Sequence, residues 1–441
     1  MRKTRANTTH DCFTDDQTLD RTSSELYQAC SNNDIMKVKR YTEKLSIDDI
    51  NRPEKNGNTA LHIATLKGYT EIIKLLLKRN PCRSIKNIYN YRPYQLATTD
   101  EIRHLYKRAN CFPRFTYKSG CLPLYQKENK SRKKFSIKHY LNQYSAGCSL
   151  CDNDDPCEWE IVDENAAEKA ARFRKESKHS LFFGHNVGRD LKNRLYSIKK
   201  GYLDSRLRDM PLNDSIKYYF RKASDEQDPC YVIKAYTSAC NFYSYVNGDM
   251  ARNVIHDLKQ GCSKFFCTRL YSAQDGVMSI TSILLHHPYF EPYSFIGEVY
   301  RGMVVKKTSL AHYRCGIRIV NTTFLSTSKT EDVAEFFNEL ENDSHNEVSV
   351  FCTYKIKNNR TALDISGMSE IPDEQEVLIL PFAAFEIMSI ARDKCGRTEI
   401  CLEECDPPEE NDSSVELAAP LQYFTRHHFL PKEGLRKRTS F

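Results

Sequence analysis

Tyr300-Arg301-Gly302, Phe324-Leu325-Ser326-Thr327-Ser328 and Glu374-Gln375-Glu376 follow one another between residues 297 and 381, and this stretch decides how the C-terminal half is read. Each segment abuts a short apolar run. Phe295-Ile296-Gly297-Glu298-Val299 precedes the first, residues 323–325 lead into Ser326, and Val377-Leu378-Ile379-Leu380 follows Glu376. Apolar runs of this length read as strands, as do 349–356, 385–390 and 398–402. An arginine, a serine and a pair of acids therefore each stand at the edge of a predicted strand.

Upstream the pattern is helical. Pro211-Leu212-Asn213-Asp214-Ser215 supplies a proline and capping residues before Ile216, Tyr219 and Phe220, which mark one helix face. Residues 231–237 lead into 241–246 and 251–258, which read as further helices. Helices first and strands afterwards predict an α+β domain, not an alternating βαβ one.

The chemistry follows from residue types. A guanidinium at a strand end grips a phosphate with two parallel hydrogen bonds, which lysine cannot reproduce. Taken alone, such an arginine is more often a surface residue. Gly302 allows close approach of a ligand to the backbone. Ser328 can cap a helix over 331–340, whose face is Val333, Phe336, Phe337 and Leu340, and Ser326 remains available for binding. Phe336 and Phe337 read as core. Glu374 and Glu376, two apart, lie on one side of an extended backbone and repel each other unless a cation sits nearby. There is no G-x-G-x-x-G, no P-loop and no G-x-S-x-G elbow in the sequence.

In this order, the three segments resemble the R-S-E signature of the arginine-specific mono-ADP-ribosyltransferase family. Residues 231–237 and 241–251 resemble that family's helical entry, and the likeness covers roughly 190–402. It implies a helical entry followed by two packed, mostly antiparallel sheets that form an NAD cleft. It also implies NAD as co-substrate, a protein with an accessible arginine as acceptor, and no metal. By motif, Arg301 would hold the NAD phosphates and Gly302 would contact the nicotinamide amide. Ser326, supported by Thr327 and Ser328, would position the nicotinamide ribose. Glu376 would be the catalytic acid, and Glu374 would select the acceptor arginine. Two alternatives stay open: a scaffold that has lost catalysis, and an NAD glycohydrolase with water as acceptor. The choice between NAD and NADP is open as well.

A second pattern lies near the N-terminus. Asn56-Gly57-Asn58-Thr59-Ala60-Leu61-His62-Ile63-Ala64 continues through Gly68 into Ile72-Ile73-Lys74-Leu75-Leu76-Leu77. It resembles the ankyrin repeat, a turn and two antiparallel helices. Arg92-Pro93-Tyr94-Gln95-Leu96-Ala97 echoes Thr59 to Ala64 at the ankyrin period, and residues 26–38 form a degenerate first unit. By that likeness His62 is structural, bonding the neighbouring turn. The repeats imply an all-α module that recruits a protein partner. The expected division is 1–22 disordered, 23–110 ankyrin repeats, 111–188 linker, 189–402 catalytic domain and 403–441 disordered tail.

Composition narrows the field. With 40% hydrophobic residues in 441, the chain has material for two or three domains. The net charge of +7 is mixed through the chain and calls for no nucleic-acid partner, and the basic run 127–138 reads as a solvated loop. No secretion signal and no apolar run of spanning length are present, so no membrane partner and a soluble, cytoplasmic protein are expected. Seventeen cysteines without a signal should be thiols. Cys148, Cys151 and Cys157, with His139 as a distant fourth, are weighed as a zinc site against free thiols in a loop. A charged, alanine-rich surface helix is expected over 163–178.

Overall fold

The computed structural model describes residues 23–108, 116–118, 158–162, 164–178, 191–207, 213–240, 242–259, 274–336, 347–392 and 398–408. The expectations for 1–22, 127–138, His139, the Cys148 cluster, Phe337, Leu340 and the tail beyond 408 lie outside those residues.

Among the described residues helix pairs come first: Glu25–Ser31 with Ile35–Lys44, then Ala60–Leu66 with Thr70–Leu77. A third pair begins with a 3-10 turn, Pro93–Leu96, and ends with Asp100–Leu105. Of the apolar run Ile72, Ile73, Leu76 and Leu77 in the second helix, the first three are at 0% exposure and Leu77 packs partly buried against the same core, which also holds Ile63 and Ala64 of the preceding helix. These residues pack on Leu26, Cys30 and Val38 of the first unit and on Ala97 and Ile102 of the third. Gly57 explains the close stacking. Its φ is +75°, and a Cβ there would meet the Asn87 Cα at 2.8 Å. The Ile88 N–H then reaches Asn56 O at 3.2 Å, and Asn87 Nδ2 reaches Asn58 Oδ1 at 2.9 Å.

His62 is wholly buried and closes its own helix start. Its Nδ1 accepts from the Thr59 N–H at 3.0 Å, so the proton is on Nε2, which faces Tyr91 O at 3.1 Å. Burial lowers the ring pKa to about 4, so it stays neutral.

Further helices follow: Ala166–Lys178, Leu191–Ile198, Asn213–Asp225, Cys230–Thr237, Phe242–Lys259 and Gln274–His286. Two differ from expectation. The helices predicted over 241–246 and 251–258 are one continuous element, Phe242–Lys259. Ala166–Lys178 is not simply a surface helix, because Ala166, Ala170, Phe173 and Ser177 recur at helical spacing and are buried. Phe173 stacks on Phe382 with centroids 5.4 Å apart. No helix among the described residues is long and apolar enough to cross a membrane.

The strands are β1 (Thr116–Lys118), β2 (Trp159–Val162), β3 (Gly297–Lys306), β4 (Arg318–Asn321), β5 (Leu325–Ser328), β6 (Glu347–Ile356), β7 (Ala362–Asp364), β8 (Glu376–Ile379), β9 (Ala384–Arg392) and β10 (Thr398–Glu404). They form one sheet in the order β2-β4-β9-β10-β6-β3-β5-β8-β7, with β1 beside β3. This corrects the expectation of two sheets. The sheet is mixed, since β1–β3 and β10–β6 are parallel. The physical reason is a narrow seam: β3 pairs with β6 from Gly297 to Lys306 but with β5 only at Tyr300↔Ser328. The part beyond the seam can therefore turn and pack on the rest. Val377 and Ile379 of β8 join Val299, Val350 and Phe385 in one core. Leu378 and Leu380, alternating with them, join the helical core instead.

Asn321 fastens this arrangement from inside. Its Nδ2 donates to Thr323 O and Leu380 O, both at 2.9 Å, and its Oδ1 accepts from the Ala383 N–H at 2.6 Å.

Candidate active site

The serines expected beside a strand are inside it. β5 is Leu-Ser-Thr-Ser, and all of its residues are buried. Its pairing with β8 sets Ser326 against Leu378, Thr327 against Val377 and Ser328 against Glu376. The seam at Tyr300↔Ser328 brings Arg301 alongside. The three sequence segments thus meet at one place.

Arg301, Thr327 and Ser328 each have definite partners there. Arg301 is 2% exposed; its Nη1 donates to Ser326 O at 2.6 Å, and its Nη2 donates to the Glu158 carboxylate at 2.7 and 3.0 Å. Burial works against its charge, but Glu158 outweighs that, and Arg301 titrates above the ordinary arginine value. The Thr327 hydroxyl donates to Val377 O at 2.7 Å, a bond that ties β5 to β8. Ser328 Oγ donates to Glu374 O at 2.9 Å and accepts from the Thr330 N–H at 3.1 Å. It therefore holds the turn ahead of the short helix Glu331–Phe336. Asn247, from the helix Phe242–Lys259, donates to Phe324 O at 3.0 Å just before β5. Gly302 lies buried in β3, paired with Phe351 of β6.

The two acids do not share an extended backbone. Glu374 ends a 3-10 turn, Pro372–Glu374, and Gln375 sits in the left-handed region with φ +48°. Only Glu376 belongs to β8, where it is wholly buried. The kink separates an acid held by the strand from an acid held by a turn, so the two can meet different partners. Glu374 meets Arg108: Arg108 Nε to Oε1 is 2.9 Å and Nη2 to Oε2 is 3.2 Å. Beside this pair lies a cavity of about 210 Å³ lined by Lys107, Asp332, Val333, Ile371 and Asp373. It is smaller than the roughly 300–1,000 Å³ that a drug-sized ligand fills. Among the described residues no group of three His, Cys, Asp or Glu side chains is placed to hold a metal.

Residues 227–409 match the family described as NAD:arginine ADP-ribosyltransferase. This part of the chain is similar to an ADP-ribosyltransferase domain. Residues 26–77 match the ankyrin repeats, so the domain follows an ankyrin region. The putative NAD(+)–arginine ADP-ribosyltransferase Vis of Vibrio splendidus is 34% identical over 120 residues, 27% of this chain. The chain spans just under half of that relative, 46% of its length. Among solved structures, the type III effector XopAI of Xanthomonas axonopodis pv. citri shares 17% identity at a TM-score of 0.35, over 56% of this chain and 95% of that one. The ADP-ribosyltransferase Vis in complex with agmatine shares 20% identity at a TM-score of 0.24, over 56% of this chain and 87% of that one.

Arg108, Glu158 and Asn247 were not among the site residues expected from sequence. Their partners lie 266, 143 and 77 positions away, and none stands in a local pattern that marks it.

Proposed function

We propose that the chain transfers ADP-ribose from NAD to the guanidinium of an arginine on a protein and releases nicotinamide. One observation carries the reading: Arg301 bonds the backbone of Ser326, and Ser328 of the same strand lies across from Glu376. The match of 227–409 to the NAD:arginine family supports it.

The chemistry suits the groups. Breaking the bond between nicotinamide and C1′ leaves an oxocarbenium-like ribose, as in glycoside hydrolysis. A buried carboxylate stabilises that charge more strongly than a solvated one, and Glu376 is the wholly buried acid. The acceptor guanidinium, with its pKa above about 12, is a poor nucleophile until oriented and relieved of a proton. Glu374 is assigned both roles. A guanidinium nitrogen bonds C1′, and its proton passes to the Glu374 carboxylate. Ser326 is assigned to the nicotinamide ribose and Gly302 to the nicotinamide amide. Thr327 and Ser328 support them by fixing β5 and the Glu374 turn. Arg301 anchors Ser326 and takes the NAD phosphates where Glu158 gives way.

The ankyrin region is assigned to recruiting a protein partner, and the catalytic unit to 189–402. The described cysteines are free thiols, in keeping with a reducing, cytoplasmic setting. The test is incubation of the full chain with labelled NAD and a guanidinium acceptor. Glu376→Gln should lower labelling by about a hundredfold or more, the loss typical of removing an electrostatic stabiliser. Undiminished labelling by that variant would remove Glu376 from the chemistry.

A further inference from the structure

The acceptor end of this site already holds a guanidinium, and the chain supplies it. Arg108 lies just past the helix Asp100–Leu105, at the end of the ankyrin region, and its side chain is 0% exposed. Its Nε and Nη2 lie on the two oxygens of Glu374. Its opposite edge is read by carbonyls: Nη2 donates to Thr237 O at 2.8 Å and Nη1 to Ser238 O at 3.2 Å. Thr237 ends the helix Cys230–Thr237 and Ser238 is its C-cap, so both carbonyls stand at the negative end of the helix dipole. A carboxylate on one edge and helix-end carbonyls on the other make a receptor for a planar, forked cation, which an ammonium cannot fill in the same way. Burial opposes the charge of Arg108, but Glu374, with help from Glu376, more than restores it.

The ankyrin region grips the same turn elsewhere. Glu370 accepts from the Arg83 N–H and from Ser84 Oγ, each at 2.5 Å, and Arg92 donates to Gly367 O. The segment from Gly367 to Glu374 is thus held at both ends and at Glu370 by the ankyrin region.

We propose that Glu374 and the carbonyls of Thr237 and Ser238 form the acceptor-guanidinium subsite, and that Arg108 fills it as a tethered competitor. An incoming arginine then enters only when Arg108 leaves, which couples transfer to the hold of the ankyrin region on the 365–375 turn. Arg108 is a plug and not an acceptor, because every nitrogen of its guanidinium is already bonded within the subsite. This rests on the reading of Glu374 as the acceptor-selecting acid.

The experiment uses the full chain as wild type, Arg108→Gln and the double variant Arg108→Gln/Glu374→Gln, with agmatine as a free guanidinium probe. Thermal unfolding without NAD reads the subsite alone. Agmatine at millimolar concentration should raise the unfolding temperature of Arg108→Gln and leave wild type and the double variant unmoved. Equal shifts in all of them would overturn the subsite. Arg108→Lys serves if Arg108→Gln does not fold, with the same agmatine response expected. With NAD present, transfer to agmatine relative to NAD hydrolysis should rise at least tenfold in Arg108→Gln. An unchanged ratio in an active protein would overturn the plug and leave the transferase standing. Selective stabilisation by agmatine with no cleavage of NAD in any variant would uphold the subsite and overturn the proposed activity.

Discussion

Acidification from pH 7.5 to 5.0 tests the role of His62 in the repeat region. The ring is wholly buried, accepts from the Thr59 N–H and has its pKa lowered to about 4 from 6.5. The folded state therefore takes up this proton less readily than the unfolded state does. Stability from the neutral ring is present above pH 6.5 and is lost progressively as pH falls toward about 4. At pH 5.0 the unfolded ring is almost fully charged and the folded ring almost fully neutral. The difference of about 1.5 pH units corresponds to a loss of about 2 kcal/mol. That is a substantial share of the roughly 5–15 kcal/mol that holds a domain folded. Urea unfolding followed by circular dichroism at both pH values gives the loss for wild type. The same measurement on His62→Gln, which cannot take up the proton, should show a loss smaller by about 2 kcal/mol. If His62→Gln loses as much as wild type between those pH values, the buried ring is not the group that responds.

Asn321→Ala should destabilise the sheet by about 3 kcal/mol, because it strips partners from two buried carbonyls and an N–H, as thermal unfolding will show. Thr327→Val keeps the shape of the side chain and removes its bond to Val377 O. It should cost about 1 kcal/mol of stability and change the KM for NAD less than twofold. A large rise in KM would mean that the hydroxyl itself meets the dinucleotide.

Local patterns were legible in the sequence and distant contacts were not. The unit from Asn56 to Leu77 could be read because turn, cap and stripe all lie within it. The strands around Arg301, Ser326 and Glu376 could be read because each carries its own apolar run. The order of those segments then pointed to one site. What escaped depended on conformation or distance. The alternation that seemed to align Glu374 with Glu376 fails because Gln375 is left-handed. β7 is only three residues long, and β4, Arg318–Asn321, begins and ends on polar residues that hide its apolar pair. The buried face of Ala166–Lys178 carries one large apolar residue, Phe173, beside Ala166, Ala170 and Ser177, and the helix's many charges masked it. Among the described residues the expected second sheet is absent because one pairing, Tyr300↔Ser328, makes the sheet continuous.

The chain has a single tryptophan, and its position has a practical consequence. Trp159 directly follows the acid that pairs with Arg301, is 3% exposed, and meets Tyr313 and Tyr354 edge-on at 5.4 and 6.1 Å. Its emission comes from one indole shielded from water, with no second tryptophan to dilute it. Any anion that draws Arg301 from Glu158 shifts the charge one residue from that indole. The protein thus carries its own optical gauge of events at Arg301, readable in rapid-mixing experiments without an attached dye.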